Sequence, residues 1–235
     1  MNEKRPRSGM PASVKTARTF KGVPERVLAR IFESATSRQY PPQSWIYRQG
    51  QPARNFFLLE SGLVSLSEVT TSGYETLLRF IYPGDPMGFV AVAGIDDYVL
   101  SAQVLRTSKV WTWNREAAHR LLHENPNAAA NLLSITIQDV IYYYHHIRRL
   151  RMDPLERRID WSLLQLSRAV GRSTPAGTLI ETGGYRQLAE LAGTNIYSVS
   201  RQLSKLECRG IVTKSHGRIV LLAPKRLQES IAHQS

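Results

Sequence analysis

The sequence predicts an α+β chain in three parts: a β-rich N-terminal barrel or jelly roll, a long helix, and a C-terminal winged helix-turn-helix. Three observations carry that prediction. Short β-rich runs divided by turn residues fill positions 40–113, an apolar seam with coiled-coil spacing follows, and two short amphipathic segments flank a Gly-Thr-Asn turn near the C-terminus. With 235 residues, 42% of them hydrophobic and 21% charged, the chain can build one large or two ordinary domains around a packed core. Its 31 Lys+Arg against 19 Asp+Glu give a formal charge of +12. That excess is uneven: residues 1–20 hold five cations and one anion, 21–147 hold eleven of each, and 148–235 hold fifteen cations and seven anions. A neutral central module is followed by a basic one, which suits a polyanionic partner, although a merely solvated basic face has the same composition.

Residues 1–20, rich in Lys, Arg, Ser and Pro without an apolar period, read as a disordered basic tail. The next part, 21–124, opens with Val27, Leu28, Ile31 and Phe32 at helical spacing, and Pro24 suits a first helical turn. The β runs at 45–47, 56–59, 63–66, 76–81, 99–105 and 109–113 are divided by turns at Gln49-Gly50, Ser61-Gly62, Ser72-Gly73-Tyr74 and Pro83-Gly84-Asp85. A short helix at 115–124 ends at Asn125-Pro126. Residues 125–152 then form a dimerisation helix and hinge, on which Leu133, Ile137, Val140, Tyr144 and Ile147 step by four, three, four and three. That seam fits a second copy of the chain; at about two heptads it also fits a helix packed within its own chain. Arg148, Arg149 and Arg151 interrupt the stripe, and Asp153-Pro154-Leu155-Glu156 restarts a helix with Asp153 as N-cap, so the hinge falls here and the last part is 153–235.

Within that last part, Tyr185, Leu188, Ala189 and Leu191 make a short amphipathic helix, Gly193-Thr194-Asn195 a tight turn, and Ile196, Val199, Leu203 and Leu206 a second helix capped by Asn195. The outward face of the second helix is expected to carry Tyr197, Ser198, Arg201, Gln202 and Lys205, polar groups long enough to reach base edges or phosphates in a major groove. Gly210 stops it, and 211–214 with 218–222 read as a hairpin whose Lys214, His216 and Arg218 can meet backbone phosphate. A helical hairpin used only for packing is the competing reading. The cationic, hydrogen-bonding face argues against it.

At these residues the chain resembles the Crp/Fnr family, the bacterial transcription regulators related to the cAMP receptor protein and the fumarate and nitrate reduction regulator. Arg186-Gln187-Leu188-Ala189, Gly193, Val199-Ser200-Arg201, Leu203, Leu206, Gly210 and Ile211 match its helix-turn-helix signature. Gly50, Ala53, Phe57, Leu59, Gly62, Val64, Gly84 and Ser101-Ala102 are similar to its cyclic-nucleotide-binding-type, cupin-like jelly roll, so the resemblance spans roughly residues 23–223. It implies a homodimer reading double-stranded DNA at a pseudo-palindromic operator, two recognition helices about 34 Å apart, and RNA polymerase as a partner. DNA contacts are also expected from Arg186, Asn195, Ile196 and Ser200. Arg201 is retained to read guanine, while the reading face departs where relatives often place Arg or Glu: Ile196 stands there, able to touch a thymine methyl, beside Tyr197.

Two departures bear on the effector. Where cyclic-nucleotide binders of this family carry an Arg-Ser/Thr pair for the phosphate and a Glu for the ribose, this chain has Leu100-Ser101 and Gly84-Asp85. Leu100 offers an anionic phosphate neither charge nor donor, so cAMP is disfavoured. Aromatic residues remain: Tyr82, Phe89, Tyr98, Trp111 and Trp113, with Tyr142, Tyr143 and Tyr144 on the long helix. They suit either an uncharged or aromatic effector or plain core. The candidate pocket is thus Tyr82, Gly84, Asp85, Leu100, Ser101 and Tyr143. No cofactor is assigned and no metal site is expected: Cys208 stands alone, which excludes an iron-sulfur cluster, while haem on His145 or His146 and an i, i+4 pair at His119 and His123 stay open. No apolar run approaches the roughly 18 residues that span a bilayer, and residues 1–20 hold no hydrophobic stretch, so a cytoplasmic chain is expected. The rival reading is a cupin-like metal-dependent enzyme with a nucleic-acid-binding module, yet residues 40–113 contain no histidine and no nucleophile-and-base pair stands out. No catalytic residue is assigned.

Overall fold

The computed structural model describes residues 12–69, 75–180, 184–215 and 218–232. It divides into two compact units, 1–141 and 142–235, that meet inside the long helix. No helix among the described residues is long and apolar enough to cross a membrane.

In the first unit α1 (Ala12–Lys15), a 3-10 turn and α2 (Glu25–Glu33) precede the strands β1 (Thr36–Tyr40), β2 (Trp45–Tyr47), β3 (Asn55–Val69), β4 (Glu75–Ile81), β5 (Pro86–Met87) and β6 (Ser101–Asn114). Then come α3 (Arg115–Glu124) and the start of α4 (Pro126–Met152). The sheet is antiparallel in the order β1-β6-β3-β4, with β2 also on β6 and β5 on β3. Strand periodicity sorts the core into two clusters. Phe56, Leu58, Trp111 and Trp113 face α2 and α3 with Phe20 and Phe32, whereas Phe57, Leu59 and Val110 face the inside of the β fold with Tyr47, Tyr98 and Val104. Of the aromatics expected as pocket or core, Tyr98, Trp111 and Trp113 are core, with Trp113 Nε1 donating to the Ile31 carbonyl at 2.9 Å, whereas Phe89, Tyr142 and Tyr143 are half-buried and Tyr82 and Tyr144 exposed.

Three sequence expectations are corrected here. Ser61-Gly62 is no turn but a bulge inside β3, which runs unbroken beside β6 with register shifts around it. Gly62 has φ +102°, and a Cβ there would lie 2.2 Å from Ser108 Oγ, so the two β runs on either side of it are one bent strand. The tail is not disordered from residue 12 onward: Val14, Ala17 and Phe20 step by three and are buried, with Phe20 edge-on to Phe32 at 5.5 Å. Their period was hidden among polar neighbours. Pro24 precedes α2 as its N-cap, accepting from the Leu28 N–H at 3.0 Å. The expected turn at 72–74 lies outside the described residues.

The second unit continues with the rest of α4, α5 (Leu155–Val170), β7 (Arg172–Thr174), β8 (Gly177–Ile180), α6 (Gly184–Ala192), α7 (Ile196–Cys208), β9 (Val212–Ser215), β10 (Arg218–Leu221) and α8 (Pro224–Ala232). The break between α4 and α5 falls at Asp153-Pro154, where the hinge was expected, but Pro154 holds the N-cap position with no side-chain bond. Asp153 does not cap: its carboxylate lies between Arg149 (3.5 Å) and Arg157 (3.6 Å), and two guanidinium groups outcompete a backbone N–H. The expected hairpin exists as β9-β10 but belongs to a four-stranded antiparallel sheet, β7-β8-β10-β9.

Candidate nucleic-acid interface

The turn between α6 and α7 is set by Gly193, whose φ of +60° reverses the chain, and by Asn195, whose side-chain oxygen accepts from the Ser198 N–H at 2.9 Å. Leu188, Ala189 and Leu191 of α6 and Val199, Leu203 and Leu206 of α7 are buried between the helices and α5. The opposite side of α7 is open: Ile196, Tyr197, Arg201 and Lys205 are exposed, Tyr197 to 77%, and Ser198 and Ser200 are half-exposed. Arg201 makes no side-chain hydrogen bond or ion pair with any described residue. An exposed guanidinium beside apolar and hydroxyl groups on a protruding helix is suited to base edges in a major groove.

Not every expected contact lies on that face. Gln202 is buried, its Nε2 donating to Asp160 Oδ1 of α5 at 2.8 Å, because it follows Val199 by three residues and so turns onto the apolar side. The assignment of Gln202 to the outward face is corrected. Lys214 on β9 bonds Ser204 Oγ at 2.6 Å and pairs with Glu207 at 3.3 Å, so it braces the wing against α7. Arg218 is exposed on β10, and His216 lies outside the described residues. Exposed Arg186 on α6 pairs with Glu190 at 2.9 Å, and Lys205 pairs with Glu156 at 3.3 Å. The Glu156 carboxyl is held below its usual range by its own backbone N–H and then by Lys205. Asp160, Glu156 and Glu207 are the partners that sequence reasoning missed; the signal for the first was the position of Gln202 within the 199, 203, 206 stripe.

Leu133, Ile137, Val140, Tyr144 and Ile147 are all exposed on α4 as an uncovered apolar stripe. Tyr143 is half-buried and neighbours Tyr142 edge-on at 5.5 Å.

The other candidate pocket residues lie in the first unit. Tyr82 is exposed, Gly84 is buried, and Leu100 is half-buried and uncharged. Ser101 is buried, its Oγ accepting the Gln49 N–H at 3.0 Å. Asp85 is buried and committed: Arg18 lies at 2.6 Å, Arg79 at 3.7 Å, and the Tyr82 N–H donates to it at 3.1 Å. Arg79 also pairs with Asp139 of α4. A cyclic nucleotide needs a cation for its phosphate and a free acceptor for its ribose, and these residues supply neither, so they do not fit it. Among the described residues no group of three His, Cys, Asp or Glu side chains stands together to hold a metal.

A β fold with a winged helix-turn-helix presenting an uncovered cationic helix defines a DNA-binding regulator. The cyclic nucleotide-binding domain family matches residues 37–125 and the Crp-like helix-turn-helix domain family matches residues 157–230, and the chain belongs to the Crp/Fnr family of transcription regulators. It is similar to the anaerobic regulatory protein of Bacillus subtilis, 25% identical over 198 residues and 83% of either chain. It is also similar to the CRP-like cAMP-activated global transcriptional regulator of Mycobacterium tuberculosis, 22% identical over 87% of this chain and 91% of that one. A CRP-family transcriptional regulator from Thermus thermophilus has the same fold, with TM-score 0.69 and 25% identity over 83% of this chain and 96% of that chain. The c-di-GMP responsive global regulator CLP of Xanthomonas campestris shares the fold with TM-score 0.72 and 23% identity, covering 84% and 99% of the two chains.

Proposed function

We propose that this protein is a sequence-specific transcription regulator that acts as a homodimer on a pseudo-palindromic operator in double-stranded DNA, with RNA polymerase as a further partner. The observation that carries the reading is the α7 face, where Ile196, Tyr197 and Arg201 are exposed together in the N-terminal half of the capped helix. N-terminal residues of a recognition helix are those that meet base edges. The exposed stripe from Leu133 to Ile147 supports the homodimer, because two such stripes can cover each other; a two-fold pair of this kind meets successive major grooves about 34 Å apart. Arg201 reads a guanine bidentately, Ile196 meets a thymine methyl, and Tyr197 cannot accept from cytosine as a carboxylate does, so the half-site keeps one guanine and differs beside it.

The first unit is a sensor that does not take cAMP, since Asp85 is held by Arg18 and Arg79 and Leu100 offers no charge. Any effector is uncharged or aromatic. A cytoplasmic setting, where such a regulator meets its DNA, is part of this reading, and no catalytic step is assigned to the protein. Selection of bound sequences from random duplexes by the purified protein tests the reading: a palindrome with guanine in each half is expected, and retention of no preferred sequence at moderate salt, with or without cell extract, overturns it.

A further inference from the structure

The inward face of α7 is formed by Val199, Gln202, Leu203 and Leu206, all buried. Three of these are aliphatic, and aliphatic contacts are non-directional: they hold a helix against its neighbour while leaving its rotation loosely specified. Gln202 differs. It is 5% exposed, Asp160 is 6% exposed, and their 2.8 Å hydrogen bond joins α7 to α5 with the distance and angular limits of such a bond. The Gln202 Oε1 has no partner among the described residues, so the pair is not a device for satisfying every buried polar atom. Burial pushes the Asp160 carboxyl above its usual range, against the Gln202 bond and the Arg209 charge, which hold it down. A buried carboxylate with one donor stabilises less than a pair of aliphatic side chains of the same volume would. What it adds is direction. A second tie, Lys205 to Glu156, runs parallel on the same two helices but is exposed and correspondingly weak.

We propose that Asp160 and Gln202 are positioning residues that fix the rotation of α7 about its axis and thereby the aim of Arg201, Ile196 and Tyr197 at the bases. Adjacent helical residues differ by about 100° in direction, so turning Gln202 on its bond swings Arg201 by the same angle across the groove floor. This rests on the reading of α7 as a DNA-recognition helix. The pair acts through Arg201 and touches no base itself.

The test compares the wild type, a double variant (Asp160→Leu with Gln202→Leu) and Asp160→Asn, which preserves an acceptor for the Gln202 amide. Thermal unfolding is measured beside affinities for the selected operator and for a scrambled duplex at one salt concentration. The Leu pair is expected to melt at or above the wild-type temperature and to keep its scrambled-duplex affinity, while its operator-to-scrambled ratio falls by about tenfold or more, within the range one bidentate base contact contributes. Asp160→Asn is expected to keep the wild-type ratio. If the Leu pair folds poorly, Asp160→Asn with Gln202→Met is read by the same criteria. A Leu pair with undiminished selectivity, or an Asp160→Asn variant that loses as much as the Leu pair, overturns the positioning role. A wild type that selects no sequence overturns instead the DNA-recognition reading on which it rests.

Discussion

The stripe on α4 makes a quantitative prediction. Leu133, Ile137, Val140, Tyr144 and Ile147 are 62%, 50%, 63%, 62% and 57% exposed, a degree unusual for five large apolar side chains spaced along one helix. Full burial of such a side chain contributes about 1.5–3 kcal/mol, so the part still exposed corresponds to about 1–2 kcal/mol each. A two-fold interface counts every residue twice, giving a gross gain of about 10–20 kcal/mol against an association cost of about 4–15 kcal/mol. The balance is compatible with a stable dimer, and one charge at the seam is enough to tip it. Val140→Asp removes about 1 kcal/mol of burial and places a carboxylate where its desolvation costs about 2 kcal/mol or more. Doubled by symmetry this is about 6 kcal/mol, roughly four powers of ten in dissociation constant. Sedimentation equilibrium across a concentration series, with circular dichroism to verify folding, is expected to find wild-type dimer and variant monomer at low micromolar concentration. A Val140→Asp protein that remains dimeric there refutes the reasoning.

Arg201→Ala is expected to leave the dimer folded while lowering operator discrimination by about 1–3 kcal/mol in a competition assay, with scrambled-duplex affinity little changed. Arg218→Ala is expected to weaken all sequences alike and reduce the slope of log affinity against log salt by about one unit. Burial, and then the Arg149 charge, hold the His146 imidazole below its usual 6.5, so the unfolded chain binds that proton first as pH falls. Stability should therefore decline on acidification below 6.5, and His146→Leu should flatten the decline in denaturant titrations at stepped pH. Gly62→Ala is expected to destabilise the first unit by about 2–4 kcal/mol, read in urea unfolding, because its φ of +102° and the 2.2 Å approach to Ser108 leave no room for a methyl group.

Much of this was legible because the periods are strong. α3 and the start of α4 lie where Asn125-Pro126 put them, since a proline at a helix start is a local signal independent of tertiary context. Helix α7 was equally plain from Asn195 and the Val199, Leu203, Leu206 spacing. What escaped depends on distant partners. Gly62 looked like a turn because sequence cannot reveal that Ser108 lies opposite it on β6. Asp153 has the chemistry of a cap, but α4 supplies Arg149 and α5 supplies Arg157 within reach, and helix geometry decides which donor wins. Gln202 was read by its polarity rather than by its angle. On a helix the angle governs burial, and polarity only sets what the buried group must find there.

The charges around Asp85 support the proposal that this chain does not take a cyclic nucleotide. Arg18 and Arg79 face Asp85 and Asp139, two positive groups against two negative ones, and Asp85 is buried. Burial raises the Asp139 carboxyl, and the charge and hydrogen bond of Arg79 oppose that shift. A phosphate that claimed Arg79 would take the counter-charge from half-buried Asp139 and leave buried Asp85 to Arg18 alone, a loss that one new ion pair recovers only in part. A ribose hydroxyl seeking Asp85 would compete with Arg18, which is charged and already at 2.6 Å. Arg18 also donates to Gln138 of α4 at 2.9 Å, and Asn131 of the same helix donates to the carbonyls of Thr19 (3.2 Å) and Lys21 (2.7 Å). The segment from Arg18 to Lys21 therefore ties the loop carrying Asp85 to the long helix through the chain's own side chains. A ligand that bridged these same elements would have to displace that tie before it could replace it.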